Sequence, residues 1–388
     1  MFRFKRGRIK GFDVNELGAV EELEAAASGL TGLTDFGPTE YRAGLGVLLS
    51  SYQEEADLSP RGIQAVQGEL TGILASRLIS QAQWAARPEY AEVAIERPVF
   101  IVGMPRTGTT TLHRMLTADP AHQGLQMWLG YAPQPRPARA DWETDPVFQM
   151  VQKGIDGFVE QVPGYLGIHN RRADEVEECW LLTRQSMLSA YFEFTGNLPT
   201  YSAWLAEQDF TETYQRYRRN LQLIGLPDAG KRWVLKSSSH LVCLDALLAT
   251  FPDALVIQTH RRPASVVLGS ACSMVDKMVA GRSASFQGEA IGPILLDFAV
   301  RSLERYATDR AAYDPAVFYD VEFDDFTADP LAVVTDIYRR LGRDLTDEVR
   351  TAMLAVVAED DRLRSHTYDL TDYGITADEV DARLSTLL

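Results

Sequence analysis

RPVFIVGMPRTGTTTLHRML, residues 97–116, is the stretch on which the fold turns. Val99 to Val102 is a short β-branched and aromatic run between Pro98 and Gly103, and it reads as a buried strand. Thr110 to Leu116 reads as the helix that follows. A strand ending at Gly103 and Pro105, then a Gly-containing turn opening a helix, aims backbone N–H groups and the positive helix end at one point. That point is an anion site, and a phosphate suits it. A Walker A loop needs a Lys and then a Ser or Thr after its last Gly. Here GMPRTGTT offers Arg106 ahead of Gly108, with hydroxyls at Thr107, Thr109, Thr110 and Thr111. Nucleoside-triphosphate use loses ground, while a tight turn without a ligand is the plainer alternative.

Outward from this loop, strand and helix patterns alternate. WVLK at 233–236 and ALVIQTH at 254–260 read as strands, and LVCLDALLATF and PASVVLGSACSM as helices after them. VFYDVEF at 317–323 adds a strand and DPLAVVTDIYRRLG at 329–342 a helix. The alternation predicts an α/β fold, a P-loop-like three-layer sandwich with a central parallel sheet. Residues 1–95 form an N-terminal helical region with a helix start at Ser59-Pro60, and 96–388 form the α/β domain. Within it, 118–230 is a helical and loop insertion: loosely patterned to 172, with turn signals such as DP at 145–146, then helix-like EVEECWLLTRQSMLSAYF.

Composition bounds the partners. A formal charge of −16 opposes nucleic acid as a partner, so any anion site must be local. Cys179, Cys243 and Cys272 lack CxxC spacing and read as buried thiols of a reducing, cytoplasmic compartment. No stretch reaches the roughly 18 apolar residues of a membrane span. The basic start, MFRFKRGRIKG, reads as a solvated terminus. The histidines show no metal-ligand spacing, which predicts no metal.

The loop segment FIVGMPRTGTTTLHRML resembles the 5′-phosphosulfate loop of sulfotransferases that use 3′-phosphoadenosine 5′-phosphosulfate (PAPS), in particular a large bacterial branch with PRTGTT or PRSGTT. KRWVLKSSSHL resembles that branch's W-x-L-K-S-P-x-H-L turn, and FPDALVIQTHRRP its F-P-D-A…H-R-D-P strand. FTADPLAVVTDIYRRLG and HTYDLTDYGIT are similar to its C-terminal signatures, and TGLTDFG to one near the start. The resemblance implies transfer of a sulfuryl group from PAPS to a hydroxyl or phenol of a small-molecule acceptor, leaving 3′-phosphoadenosine 5′-phosphate (PAP). It leaves open whether the chain forms a homo-oligomer.

The same resemblance implies roles. Arg106 takes the position of the loop cation on the 5′-phosphate, with Thr107, Gly108, Thr109, Thr110 and Thr111 supplying donors. Lys236 matches the lysine that stabilises the transferring sulfuryl group, and Arg261 the arginine on the 3′-phosphate, a bidentate contact that suits a guanidinium. The Ser that joins this arginine is replaced by Gly269, with Ser270 one residue on. Arg262 and Ser238 also depart from the branch pattern. Tyr368, in HTYDLTDYGIT, joins the cofactor-binding set.

The acceptor side is less legible. A base is needed near the hydroxyl. The branch carries a Glu where this chain has HQGLQMWLG, 122–130, with no carboxylate. His240, one helical turn after Lys236, is the first candidate, with a core histidine as the alternative. His169 and the acidic run Asp174, Glu175, Glu177 and Glu178 resemble the acceptor-side H…P-E-E-C motif, with Val176 for its Pro; of these Glu178 is the catalytic candidate. The plain reading of that run is a helix start. Trp128, Tyr131, Trp142, Tyr165, Tyr191 and Trp204 either line an acceptor pocket or pack the core. Two other functions stay open: a P-loop small-molecule kinase using ATP, and a sulfotransferase-like scaffold that binds nucleotide without turnover.

Overall fold

The computed structural model describes residues 17–162, 171–363 and 368–387. Its centre is a sheet of β1 (Val99–Val102), β2 (His122–Gln123), β3 (Arg232–Lys236), β4 (Leu255–His260) and β5 (Phe318–Glu322), in the order β2-β3-β1-β4-β5. Every pairing is parallel; Phe100 lies opposite Leu235 on one side and Val256 on the other. Alternate strand residues face opposite sides. Phe100, Val102 and Leu235 enter one buried cluster, while Val99, Ile101 and Val234 enter the second. Helices cover both faces, which is why VFIV is apolar at every position and wholly buried.

The first cluster takes in α1 (Val20–Thr31), α2 (Tyr41–Glu54) and α3 (Pro60–Ala86), through residues such as Leu45, Leu48, Leu70 and Leu74. The start of α3 is as its sequence predicts: Ser59 Oγ accepts from the Gly62 N–H at 3.0 Å and Pro60 takes the first position. The second cluster is closed by α4 (Thr109–Thr117), through Leu112, Met115 and Leu116, and by the helices Pro330–Arg340 and Asp347–Leu363. Helix, sheet and helix thus form the three expected layers.

Strand order reverses at β1, with β3 and β2 on one side and β4 and β5 on the other. In open parallel sheets the crevice at the carboxyl ends of such strands is where ligands bind. That end carries the 103–108 loop after β1, Lys236 at the end of β3 and Arg261 after β4.

Two local readings change. The Asp145-Pro146 pair is the start of a helix, Pro146–Gln161, whose first N–H groups at Val147 and Phe148 bond the Asp145 carboxylate. EVEECWLLTRQSMLSAYF is not one helix; it breaks at Met187, with φ +55, between short helical turns at 180–186 and 190–194. The break is imposed from outside the segment: Tyr201 donates its hydroxyl to the Met187 carbonyl at 2.9 Å, and Gly44 of α2 packs on that same carbonyl. Cys179, Cys243 and Cys272 are all buried and unbridged. Among the described residues, no helix is long and apolar enough to cross a membrane. The basic start at residues 1–11 lies outside them.

Candidate functional site

The loop after β1 turns through two left-handed residues. Gly108 caps α4 at φ +91, a conformation open to glycine, whereas Arg106 at φ +74 carries a side chain in a region that costs about 1–3 kcal/mol. Neighbours hold it there. Arg261 Nη1 donates to the Arg106 carbonyl at 2.8 Å, and Arg106 Nε donates to Ser270 Oγ at 3.2 Å. The Thr107 hydroxyl donates to the Met104 carbonyl at 2.8 Å and lies 2.6 Å from that of Thr259. Thr107 is buried, so its hydroxyl builds the loop; the Thr110 hydroxyl instead accepts from Lys236 Nζ at 3.4 Å. The first turn of α4, with Thr109 to Thr111, presents N–H groups that have no carbonyl four residues back in the helix.

Lys236 is 2% exposed and lies opposite Ile101 in the sheet register, directly beside the loop strand. Its Nζ sits 2.8 Å from Glu178 Oε1, and Ser237 donates its hydroxyl to Glu178 Oε2 at 3.2 Å. Backbone pairing delivers this carboxylate. The Cys179 N–H bonds the Lys236 carbonyl at 3.0 Å, while the Glu177 N–H bonds Leu125 and the Met127 N–H bonds Glu175. Segment 175–179 is thereby laid against both 125–127 and the end of β3. Segment 122–130 has no carboxylate of its own, and this pairing places that of Glu178 in the segment laid against it.

The rest of the acidic run is engaged elsewhere. Glu175 pairs with Arg114 at 3.3 Å, Glu177 with Arg171 at 3.6 Å, and Asp174 with Arg139 and Arg172. His240 is also drawn away. The turn after β3 is a 3-10 turn, Ser238–Val242, not an α-helix, so the spacing argument that set His240 above Lys236 does not apply. Its ring lies 2.6 Å through Nδ1 from the Tyr214 hydroxyl and edge-on to Phe100, and burial pushes its pKa down to about 3. His169 lies outside the described residues.

Arg261 rests on the ring of Phe323, 4.0 Å from its centroid, and the same ring flanks Gly108. Phe323, the first residue after β5, escaped notice in the sequence because an aromatic at a strand end usually signals core. Tyr368 donates its hydroxyl to the Val266 carbonyl at 2.7 Å. Burial raises its pKa, while the charges of Arg261 and Arg106 act in the opposite direction, so it stands within their reach. A Cβ on Gly269 would fall 2.4 Å from the Tyr368 ring. Glycine at this position makes room for the ring, and Ser270, one residue on, meets Arg106.

Gly269→Ala tests this packing. In an open helix the change stabilises by up to about 1 kcal/mol, but here the clash is expected to destabilise by about 1–3 kcal/mol in chemical denaturation. Tyr368→Ala added to it should recover most of that loss. Stabilisation by Gly269→Ala alone would contradict the packing described.

Known proteins share this fold. A match to the Sulfotransferase family covers residues 98–347. The crystal structure of sulfotransferase STF1 from Mycobacterium tuberculosis is similar at a TM-score of 0.88 and 48% identity, over 96% of this chain and 100% of that one. Sulfotransferase STF9 from Mycobacterium avium is similar at 0.82 and 26%, over 95% of each chain. A Mycobacterium bovis protein, omega-hydroxy-beta-dihydromenaquinone-9 sulfotransferase Stf3, is 25% identical over 293 residues, 72% of this chain and 71% of its own. PAPS is the sulfuryl donor that such enzymes generally use. Sequence and fold agree along nearly the whole length, and this chain therefore belongs to the sulfotransferase family.

Proposed function

We propose that the protein transfers a sulfuryl group from PAPS to a hydroxyl of a small-molecule acceptor, with Glu178 as the proton acceptor. The observation that carries this reading is the Lys236–Glu178 pair beside the loop: a buried cation and the carboxylate bonded to it, held against the same hydroxyl-lined turn. The site suits a doubly phosphorylated donor. One anion fits the cradle of Arg106 and the first turn of α4; a second fits Arg261, Ser270 and Tyr368 at the neighbouring strand end. PAPS bound there supplies the sulfuryl group and departs as PAP.

Each residue then acts on charge or on a proton. Glu178 takes the proton of the acceptor hydroxyl as its oxygen forms the new S–O bond. Lys236 donates to the sulfuryl and leaving oxygens, where negative charge grows as the old S–O bond breaks. Arg106 neutralises the leaving phosphate. His240, with its pKa near 3, is a poor proton acceptor at neutral pH and serves the core instead. In this reading residues 96–388 carry the chemistry, 118–230 the acceptor side, and 1–95 pack on the core; the three buried thiols suit the cytoplasm. A hydroxyl acceptor accords with the quinone derivative for which the M. bovis relative is named. The kinase alternative wants a Walker lysine that GMPRTGTT does not have.

Calorimetric titration with PAP, adenosine 5′-phosphate and ATP, with and without magnesium, tests the donor. PAP is expected to bind tightest, independently of magnesium. Arg261→Ala should weaken PAP roughly 10- to 100-fold, the value of a lost charge-assisted contact, and adenosine 5′-phosphate by less, since for that ligand only the support of the Arg106 carbonyl is lost. ATP binding as tightly as PAP, or a PAP advantage that survives Arg261→Ala, would overturn the assignment. PAP binding with no transfer to any alcohol or phenol would favour the scaffold without turnover.

A further inference from the structure

A cavity of about 400 Å³ lies between α3, the helix Pro146–Gln161, the segment 180–195 and the end of the helix Ala264–Val279. It shares a segment with the reacting pair. Trp180, in its wall, is two residues beyond Glu178, and the intervening Cys179 N–H is bonded to Lys236. Its volume falls in the range of small-molecule sites.

Most of the lining is apolar, including Met127, Val151, Ile155, Phe158 and Val159. Against such walls the hydroxyls of a sugar would lose water without gaining partners, at about 1–3 kcal/mol each, so a polyhydroxylated acceptor is disfavoured. A ring system is favoured. Trp180 and Tyr191 stack at 4.3 Å with 9° between their planes, giving the cavity a rigid aromatic side.

Among the described residues, the charge in this cavity is unbalanced. Arg184, a buried residue, lies over the rings of Tyr131, Trp180 and Tyr191 at 5.2, 4.8 and 5.3 Å. Its Nη1 is 3.5 Å from Glu69 Oε1, and Arg282 Nη1 is 3.6 Å from Glu69 Oε2. Glu69 also accepts the Tyr191 hydroxyl. A third cation in the wall, Arg171, has its own partner in Glu177. Two guanidiniums therefore share one carboxylate, at distances longer than a good N–H···O bond, and each carries five N–H groups. In an apolar enclosure the surplus positive charge is felt strongly.

We propose that this cavity is the acceptor site and that the acceptor is an apolar, ring-bearing alcohol or phenol that also carries a carboxylate, which Arg184 and Arg282 bind. The proposal rests on the sulfuryl-transfer reading, since it takes the occupant to be the acceptor. Glu69 holds the two guanidiniums in place and competes with the ligand for them.

The test measures binding in the presence of PAP, where no turnover occurs. The probes are 4′-hydroxybiphenyl-4-carboxylate, its methyl ester and trehalose, followed by equilibrium dialysis. The acid is expected to bind at least about 10-fold more tightly than the ester, and trehalose not measurably. Arg282→Gln, at a side chain that is 26% exposed, should erase the preference for the acid and leave ester binding intact. Glu69→Gln should strengthen acid binding, a direction that damage to the fold would not produce. Equal binding of acid and ester, binding of neither, or a preference unchanged in Arg282→Gln overturns the proposal. PAP titrated into the same samples separates the two readings: without PAP binding the donor assignment fails, whereas an acid-to-ester ratio of one with PAP bound removes only the acceptor class.

Discussion

Glu178→Gln is expected to lower kcat by about 10²- to 10⁴-fold on an aliphatic alcohol, the span that general base catalysis usually covers. The substitution is close to isosteric, and its amide oxygen still accepts from Lys236 Nζ, 2.8 Å away in the native protein. What it removes is the negative charge and the ability to take a proton. An acidic phenol gives up its proton with less help, so the loss on p-nitrophenol should be smaller by at least about 10-fold, in proportion to its lower pKa. Steady-state rates of the variant on both acceptors, with PAPS saturating, check this. An equal loss on the two would mean that Glu178 only positions Lys236, and a loss below about threefold on both would exclude it from the chemistry.

Lys236→Ala should be comparably severe, lowering kcat by about 10²- to 10³-fold, as removal of one preorganised donor from a developing anion does. Lys236 is enclosed by β1, β3 and the 175–179 segment, where a charge acts through little water. Because its partner charge grows only as the old S–O bond breaks, the effect should fall on kcat more than on the affinity for PAP. The carboxylate left behind keeps the Ser237 hydroxyl and is 21% exposed, so the fold should survive; a thermal melt beside the kinetics verifies that. Lys236→Arg keeps the charge but cannot place a point donor in the same spot, and should recover only part of the rate. Intact PAP affinity with near-normal kcat in Lys236→Ala would remove this residue from the mechanism.

The two residues were legible to different degrees. Lys236 stood out because KRWVLKSSSHL resembles the branch's W-x-L-K-S-P-x-H-L turn, a contiguous motif, and because WVLK reads as an apolar strand ending in a cation. Glu178 was singled out among four neighbouring acids only by its resemblance to the H…P-E-E-C motif, since nothing in the local spacing sets it apart from Glu175 or Glu177. Contacts with distant residues did the ranking, as Arg114, Arg171 and Arg139 engage Glu175, Glu177 and Asp174, leaving Glu178 to Lys236. His240 failed for a similar reason. Its spacing from Lys236 was right for a helix, but the turn winds as a 3-10 segment and delivers the ring to Tyr214 and Phe100. The charged wall of the cavity could not be read in advance at all, because Glu69, Arg184 and Arg282 come from three segments far apart in the chain.

By itself, then, the sequence determined the parallel sheet, the glycine-containing loop after β1 and the strand ends that carry Lys236 and Arg261. These follow from short-range causes: apolar runs that must be buried on two faces, a glycine that permits a left-handed cap, and a helix start whose first N–H groups have no carbonyl within the helix. Tertiary structure alone decided which acid meets Lys236, what packs against Gly269 and where the cavity beside the 180–195 segment lies. Those outcomes depend on which side chains compete for the same few ångströms of buried space, and that competition is settled only when segments distant in sequence pack together.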